Sequence, residues 1–350
     1  MIRVLVVDDS PTLRYLIRAI LESDPELQVV GEARNGEEAI ALCEKLQPDI
    51  ITMDIRMPRM DGYEAVCRIM AEWPRPILVL TSTQSDIELG VSYKAIEAGA
   101  IMVMGKPHGL PGADPEADQL IATVKAMAEV KVVRRHWWLR KETPQPPRRK
   151  PRPRAPQGPI RLIAMGASTG GPPALQTILG QLPADLSVPI VVTQHMSPGF
   201  IGGLARWLDE TTPLRVKVAD VGEPLRPGTV YLAPDDRHLL VTQAGLAWLS
   251  SSPPVDGHRP SVTALFESVA QSCGAAAVGV LLTGMGDDGA RGLKVLHDAG
   301  AYTIAQDGAT CVVFGMPKEA IALGATEEVL PLEQIAGRLV ELVTVTSGTR

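Results

Sequence analysis

The chain has 350 residues, 45% of them hydrophobic and 21% charged, with a formal net charge of −6. That length accommodates about two domains, each burying its own core. The acidic balance gives no general electrostatic reason to bind nucleic acid, and no run is apolar long enough to span a bilayer. Met1 leads straight into the strand-like Ile2 to Val7 and then Asp8 and Asp9. That leaves no apolar signal core, so the expected location is cytoplasmic. Cys43, Cys67, Cys273 and Cys311 lack metal-ligand or disulfide spacing and read as reduced, mostly buried thiols without a functional role.

In chain order, apolar strand-length runs first alternate with helical patterns. The runs are Ile2 to Val7, Val29 to Ala33, Ile50 to Met53, Ile77 to Thr81 and Ile101 to Met104, which makes five βα units. Ser10 is placed to cap a first helix opened by Pro11, and Asn35 to cap a second; Pro115 opens a last one running to about Val130. Strands apolar on both faces and joined by helices imply a parallel sheet covered on both sides.

Lys141 to Pro159 reads KETPQPPRRKPRPRAPQGP, whose prolines and like charges prevent a helical ladder and a packed core. Arg134, Arg135 and Arg140 extend the positive charge upstream. An RNA or membrane patch is one reading of such a run; a solvated, self-repelling spacer is its usual meaning. The expected domains are therefore 1–133 and 160–350, joined by a linker over 134–159. After the linker the alternation resumes with Ile160 to Met165, Pro189 to Gln194, Ala276 to Leu282 and Tyr302 to Ala305 as strands. The second domain is again α/β, with Val216 to Leu249 reading as a hairpin-rich insertion.

Functional side chains of a parallel α/β sheet gather at the carboxyl ends of its strands, where Asp8, Asp9 and Asp54 all fall. Three carboxylates in one pocket call for a hard divalent cation between them, and Mg²⁺ suits. Thr81 ends the fourth strand and can hydrogen-bond a phosphoryl oxygen; Lys106, after the fifth, can neutralise its charge. Singly, each has an ordinary structural explanation; together they describe aspartate phosphorylation. The stretches VVDDS, MDIRMPRMDG and GKP resemble a response-regulator receiver over about residues 1–130. The resemblance implies a five-stranded parallel, flavodoxin-like fold. It further implies that Asp54 accepts the phosphoryl group, that Asp9, Asp54 and the backbone carbonyl of Arg56 ligate Mg²⁺, and that Asp8 assists. Val103 stands where receivers often carry an aromatic switch residue.

In the second domain Gly166-Ala-Ser168-Thr-Gly170-Gly171 follows a strand and opens a helix at Pro172, setting Ser168 on a sharp turn as a nucleophile would be. A phosphate-binding turn or a plain strand-to-helix turn has the same pattern. A base is required, and His195 closes the next strand on the same edge. His238 and His258 are weaker candidates, while His108, His136 and His297 sit in no comparable place. A third group must fix the imidazole; LTGMGDDG, ending another strand, supplies Asp288. The order serine, histidine, acid differs from the serine, acid, histidine of α/β-hydrolases.

GASTGGP, QHMSPGF, PGTVYLAP, GHRPSV, LLTGMGDDGA and CVVFGMPKEA resemble the CheB-type protein-glutamate methylesterases of chemotaxis, covering nearly the whole chain outside the linker. The resemblance implies a doubly wound α/β esterase domain controlled by the receiver. Ser168 would be nucleophile, His195 general base then acid, and Asp288 its orienting partner, with Asp287 a bystander. The amide of Met285 would stabilise the oxyanion with groups beside the serine such as Thr169. Thr263 departs from the aspartate common at its position. The resemblance further implies methylated chemoreceptors as substrate, glutamine deamidation as a second activity, and a chemosensory histidine kinase as phosphodonor. It implies no cofactor in the esterase site, and an unphosphorylated receiver that covers the active-site mouth. Two alternatives remain on the residues alone: a receiver-controlled serine hydrolase or amidase of a non-motility pathway, and a non-enzymatic response regulator.

Overall fold

The first βα units form because each apolar run is followed by a residue that starts a helix. In the computed structural model, which describes residues 1–81, 93–128, 130 and 158–347, β1 (Ile2–Val7) leads into α1 (Pro11–Leu21). The Ser10 side chain caps α1 by accepting from Leu13 N–H at 3.4 Å. β2 (Leu27–Ala33) begins two residues before the expected start and is followed by α2 (Gly36–Leu46). Asn35 caps α2 through Glu38 N–H at 3.0 Å. Then come β3 (Ile50–Asp54), α3 (Gly62–Glu72), β4 (Ile77–Thr81), β5 (Met102–Gly105) and α4 (Pro115–Ala128). The five strands pair in the order β2-β1-β3-β4-β5, every pairing parallel. Val4, Leu5, Val6, Ile50, Ile51, Ile77 and Leu78 are fully buried, as strands covered on both faces require.

The chain divides into two units, Met1–Lys150 and Pro151–Arg350. The basic segment expected as a linker over 134–159, with Arg134, Arg135, His136 and Arg140, lies outside the described residues apart from Gly158 and Pro159. No helix among the described residues is long and apolar enough to cross a membrane.

The second unit runs β6 (Leu162–Ala167), α5 (Gly171–Leu179), β7 (Ile190–Gln194), α6 (Ile201–Thr211), β8 (Arg215–Val218), β9 (Thr229–Leu232), β10 (His238–Val241) and β11 (Ala247–Ser250). It continues α7 (Val262–Ser272), β12 (Ala277–Leu281), α8 (Ala290–Asp298), β13 (Tyr302–Gln306), α9 (Met316–Ala322), β14 (Glu328–Leu330) and α10 (Leu332–Ser347). Seven strands form one parallel sheet in the order β14-β13-β12-β6-β7-β9-β8. The hairpin-rich reading of Val216 to Leu249 needs correction. β8 and β9 extend the main sheet in parallel, and only β10 and β11 pair as an antiparallel hairpin. The cysteines also differ from expectation: Cys43 is buried, whereas Cys67, Cys273 and Cys311 are only partly so.

The strand order places the site. From β6 the chain first builds outward through β7, then returns to the other side of β6 with β12. The crevice between β6 and β12 is thus the topological switch point, where ligands of open α/β sheets bind at the carboxyl ends.

Candidate active site and phosphorylation pocket

Ser168 directly follows β6. Its N–H donates to Thr283 O at 3.0 Å, and its carbonyl accepts from Gly171 N–H at 2.8 Å as α5 begins. Gly170 turns the chain with φ of 77°, a left-handed conformation that glycine adopts without steric cost. Ser168 therefore remains partly exposed at the sheet edge. The turn after β12 presses against it: a Cβ on Gly284 would lie 2.8 Å from Ser168 Cβ and 2.2 Å from Met316 Sδ.

His195 directly follows β7, one step beyond the register pair of Ala167 and Gln194. Its N–H donates to Ala167 O at 3.0 Å, which sets it beside the serine turn. The imidazole is 10% exposed, and its Nε2 stands 2.9 Å from Asp288 Oδ2. The approach is oblique rather than in line, and Nδ1 is buried with no partner.

Asp288 sits on the amino end of α7. One carboxylate oxygen accepts from Ser261 Oγ at 2.8 Å and Thr263 N–H at 3.0 Å; the other accepts from Val262 N–H at 2.7 Å. Those N–H groups lie in the first turn of a helix, where the dipole favours negative charge. Burial pushes the Asp288 carboxyl upward, but neighbouring His195 and the amides of Thr263 and Val262 outweigh it and hold the group well below the carboxylate range. Asp288 is thus held in its charged form at neutral pH as an acceptor facing the imidazole, while Asp287 beside it is exposed.

Three further residues surround the site: Gln194, which the sequence reading gave no role, Thr263, noted there only as a departure, and His258, read there as a weaker base candidate. Gln194 Nε2 donates both to Ser168 O at 2.8 Å and to His195 O at 2.7 Å, tying the Ser168 turn to the end of β7. The Thr263 hydroxyl accepts from Gly289 N–H at 2.8 Å, so it fastens the acid loop where a carboxylate is common. The ring of His258 stacks on His195 with centroids 4.2 Å apart and planes 8° apart. His238, a weaker base candidate, is buried with Nε2 3.2 Å from Pro253 O and Nδ1 accepting from Ser261 N–H at 3.2 Å. Both its nitrogens are engaged in holding the loop that cradles Asp288.

The expected oxyanion groups flank the serine. Met285 follows Gly284 with a half-exposed side chain, and its N–H has no partner among the described residues. Thr169 is buried, and its carbonyl accepts from Thr283 Oγ1 at 2.9 Å.

In the first unit, Asp8, Asp9 and Asp54 each bring a carboxylate oxygen within 4.8 Å of the others. Such an oxygen-only cluster fits a hard divalent cation. Lys106 Nζ reaches Asp8 Oδ2 at 2.7 Å and Asp54 Oδ1 at 3.1 Å. Thr81 is joined to it, since Lys106 N–H donates to Thr81 O at 3.0 Å. Burial, with Asp8 adding to it, raises the Asp54 carboxyl to about 6, against the opposing pull of Lys106 and the Arg56 N–H. Gly62 makes this pocket possible, because a Cβ there would fall 2.0 Å from Asp54 O. Val103 is buried in β5 beside Val79.

Comparison with known proteins finds a family for each unit. Residues 163–339 match the CheB methylesterase family, and residues 4–111 match the response regulator receiver domain. A protein-glutamate methylesterase/protein-glutamine glutaminase of Myxococcus xanthus is 49% identical over 343 residues, covering 97% of this chain and 96% of its own. One of Geobacter metallireducens is 46% identical over 345 residues, covering 98% and 99%. The crystal structure of the Thermotoga maritima CheB methylesterase catalytic domain is 43% identical, with a TM-score of 0.51, and covers 53% of this chain and 99% of that one. With both family models matched in one chain, and relatives alike along their full length, this chain belongs to the CheB methylesterase family of response regulators.

Proposed function

We propose that the chain hydrolyses glutamate γ-methyl esters on chemoreceptors, with Ser168 as nucleophile, His195 as base and Asp288 as orienting acid. The observation that carries this reading is the 2.9 Å approach of His195 to an Asp288 held ionised on a helix amino end, beside Ser168 at the switch point. Ser168 Oγ attacks the ester carbonyl carbon as its proton passes to His195 Nδ1, the ring nitrogen not facing Asp288. The Met285 N–H and Thr169 stabilise the negative oxygen of the tetrahedral intermediate. Its collapse expels methanol, which takes the proton from His195. Water, deprotonated by the same imidazole, then releases the glutamate carboxylate and restores the serine. Glutamine side chains fit the same steps with ammonia as the leaving group.

A receiver domain over 1–133 serves as the cytoplasmic phosphorylation input, joined by a spacer over 134–159 to a catalytic domain over 160–350. Asp54 accepts a phosphoryl group from a histidine kinase of the chemosensory pathway. Asp9, Asp54 and the carbonyl of Arg56 would hold Mg²⁺, with Asp8 assisting; when bound, the ion supplies charge neutralisation for the incoming phosphoryl oxygens. Thr81 donates to one of those oxygens and Lys106 pairs with another. Phosphorylation raises the esterase rate by a coupling of about 1–3 kcal/mol, roughly 5- to 150-fold.

A fluorophosphonate probe tests the nucleophile. The account predicts one adduct, on Ser168, lost in Ser168→Ala; labelling elsewhere with Ser168 untouched would overturn it. A small-molecule phosphodonor tests the input. A rate increase that persists in Asp54→Asn would remove Asp54 as the acceptor.

A further inference from the structure

His258 stands in contact with the proposed base, and no step above uses it. It lies on a tight turn: Val255 and His258 exchange both backbone hydrogen bonds, at 3.0 and 2.9 Å, across Asp256 and Gly257. Both central residues have positive φ, 53° and 80°, the Asp-Gly signature of a rigid two-residue hairpin turn. Arg291 fastens that turn by reaching both Asp256 oxygens at 2.9 Å. On the other side, Arg259 is tied to Asp236 and to the carbonyls of Ser251 and Ser252. The ring is therefore delivered to His195 by a pinned segment. Three residues after His258 the same segment becomes Ser261 and the amides that hold Asp288. One stretch of chain contacts both the face of the base and the acid behind it.

The contact is face to face, with centroids 4.2 Å apart and planes 8° apart. A ring lying flat on another blocks rotation of the second ring out of its plane and covers one face from water. We propose that His258 is the positioning residue of the base, its neutral ring stacked on His195 to hold the imidazole edge-on to Asp288 and to support the imidazolium formed during the reaction. This rests on the triad reading above. The support is a cation against a π-face, and it requires that His258 itself stay uncharged. Burial, and then the neighbouring His195, lower the proton affinity of His258, while Asp288, Asp256 and Asp287 act in the opposite sense without reversing it. A neutral His258 thus presents its π-face to the positive charge that develops on His195 when it takes the serine proton.

The role predicts a dependence on the ring face and not on its nitrogens. His258→Ala and His258→Phe are compared in the full-length chain, by methanol release from methylated receptor and by the rate of fluorophosphonate labelling at Ser168. His258→Ala is expected to lose about 10- to 100-fold in kcat with KM little changed, because a base free to swing spends little time in line. Labelling should slow in parallel while thermal unfolding stays close to that of the parent. His258→Phe, which keeps a flat ring but has no proton or hydrogen bond to offer, should recover most of the rate. Parent-like kcat in His258→Ala would overturn the proposal, and so would a His258→Phe as slow as the alanine variant. Ser168→Ala serves as the separate control: if it still released methanol at near the parent rate, the triad reading itself would fail, independently of His258.

Discussion

The side-chain amide of Gln194 donates to the carbonyl of Ser168 across a sequence separation of 26 residues, at 2.8 Å. The same nitrogen donates to His195 O. The two carbonyls belong to the residues proposed to exchange a proton, so their spacing is set by one rigid side chain. Gln194→Leu keeps the bulk and deletes the donor. We expect about 1–3 kcal/mol of lost stability from the buried carbonyls, and a kcat lowered at least about tenfold. Thermal unfolding and methanol-release kinetics on the same preparation check both.

Gly62 lies under the phosphorylation pocket, where an added Cβ would stand 2.0 Å from Asp54 O. The obstacle is backbone, which cannot swing aside as a side-chain tip does. Gly62→Ala should therefore move the Asp54 loop or the start of α3, costing about 1–3 kcal/mol in the first unit. Calorimetry should show that unit melting earlier and a weakened response to phosphodonor, with the esterase unit melting as before.

Asp288 makes stability depend on pH in a defined direction. Its folded-state proton affinity is lowered, so its contribution is fully present above the unfolded carboxyl value of about 3.9 and is lost as pH falls through the lower folded value. Thermal unfolding of the parent should thus lose a stabilising contribution in that acid window. Asp288→Asn should lose about 1–3 kcal/mol at neutral pH and show a shallower acid dependence, because the charged acceptor is already gone.

The sequence showed which residues would meet and much less of what holds them. Ser168, His195 and Asp288 each follow an apolar strand run, so the parallel α/β pattern alone put them on one edge; Asp8, Asp54, Thr81 and Lys106 were legible in the same way. β8 and β9 misled because short strands carry no mark of parallel pairing, which depends on the path of the chain between them. The cradle of Asp288 was invisible for a related reason. Its donors are main-chain N–H groups of Val262 and Thr263, and backbone amides look alike in every sequence. Gln194 likewise acts through carbonyls, which leaves no pattern to read. His258 was visible as an alternative base; only the stacked geometry shows it as a companion of His195.

The central claim is that Ser168 is the nucleophile of a glutamate methylesterase whose base and acid are His195 and Asp288. Methanol release from methylated chemoreceptor, measured for the full-length chain and for folded Ser168→Ala, tests it most directly. The account predicts a loss of at least ~10³-fold, since members of such a triad act as one unit. A Ser168→Ala variant that releases methanol at near the parent rate would contradict it.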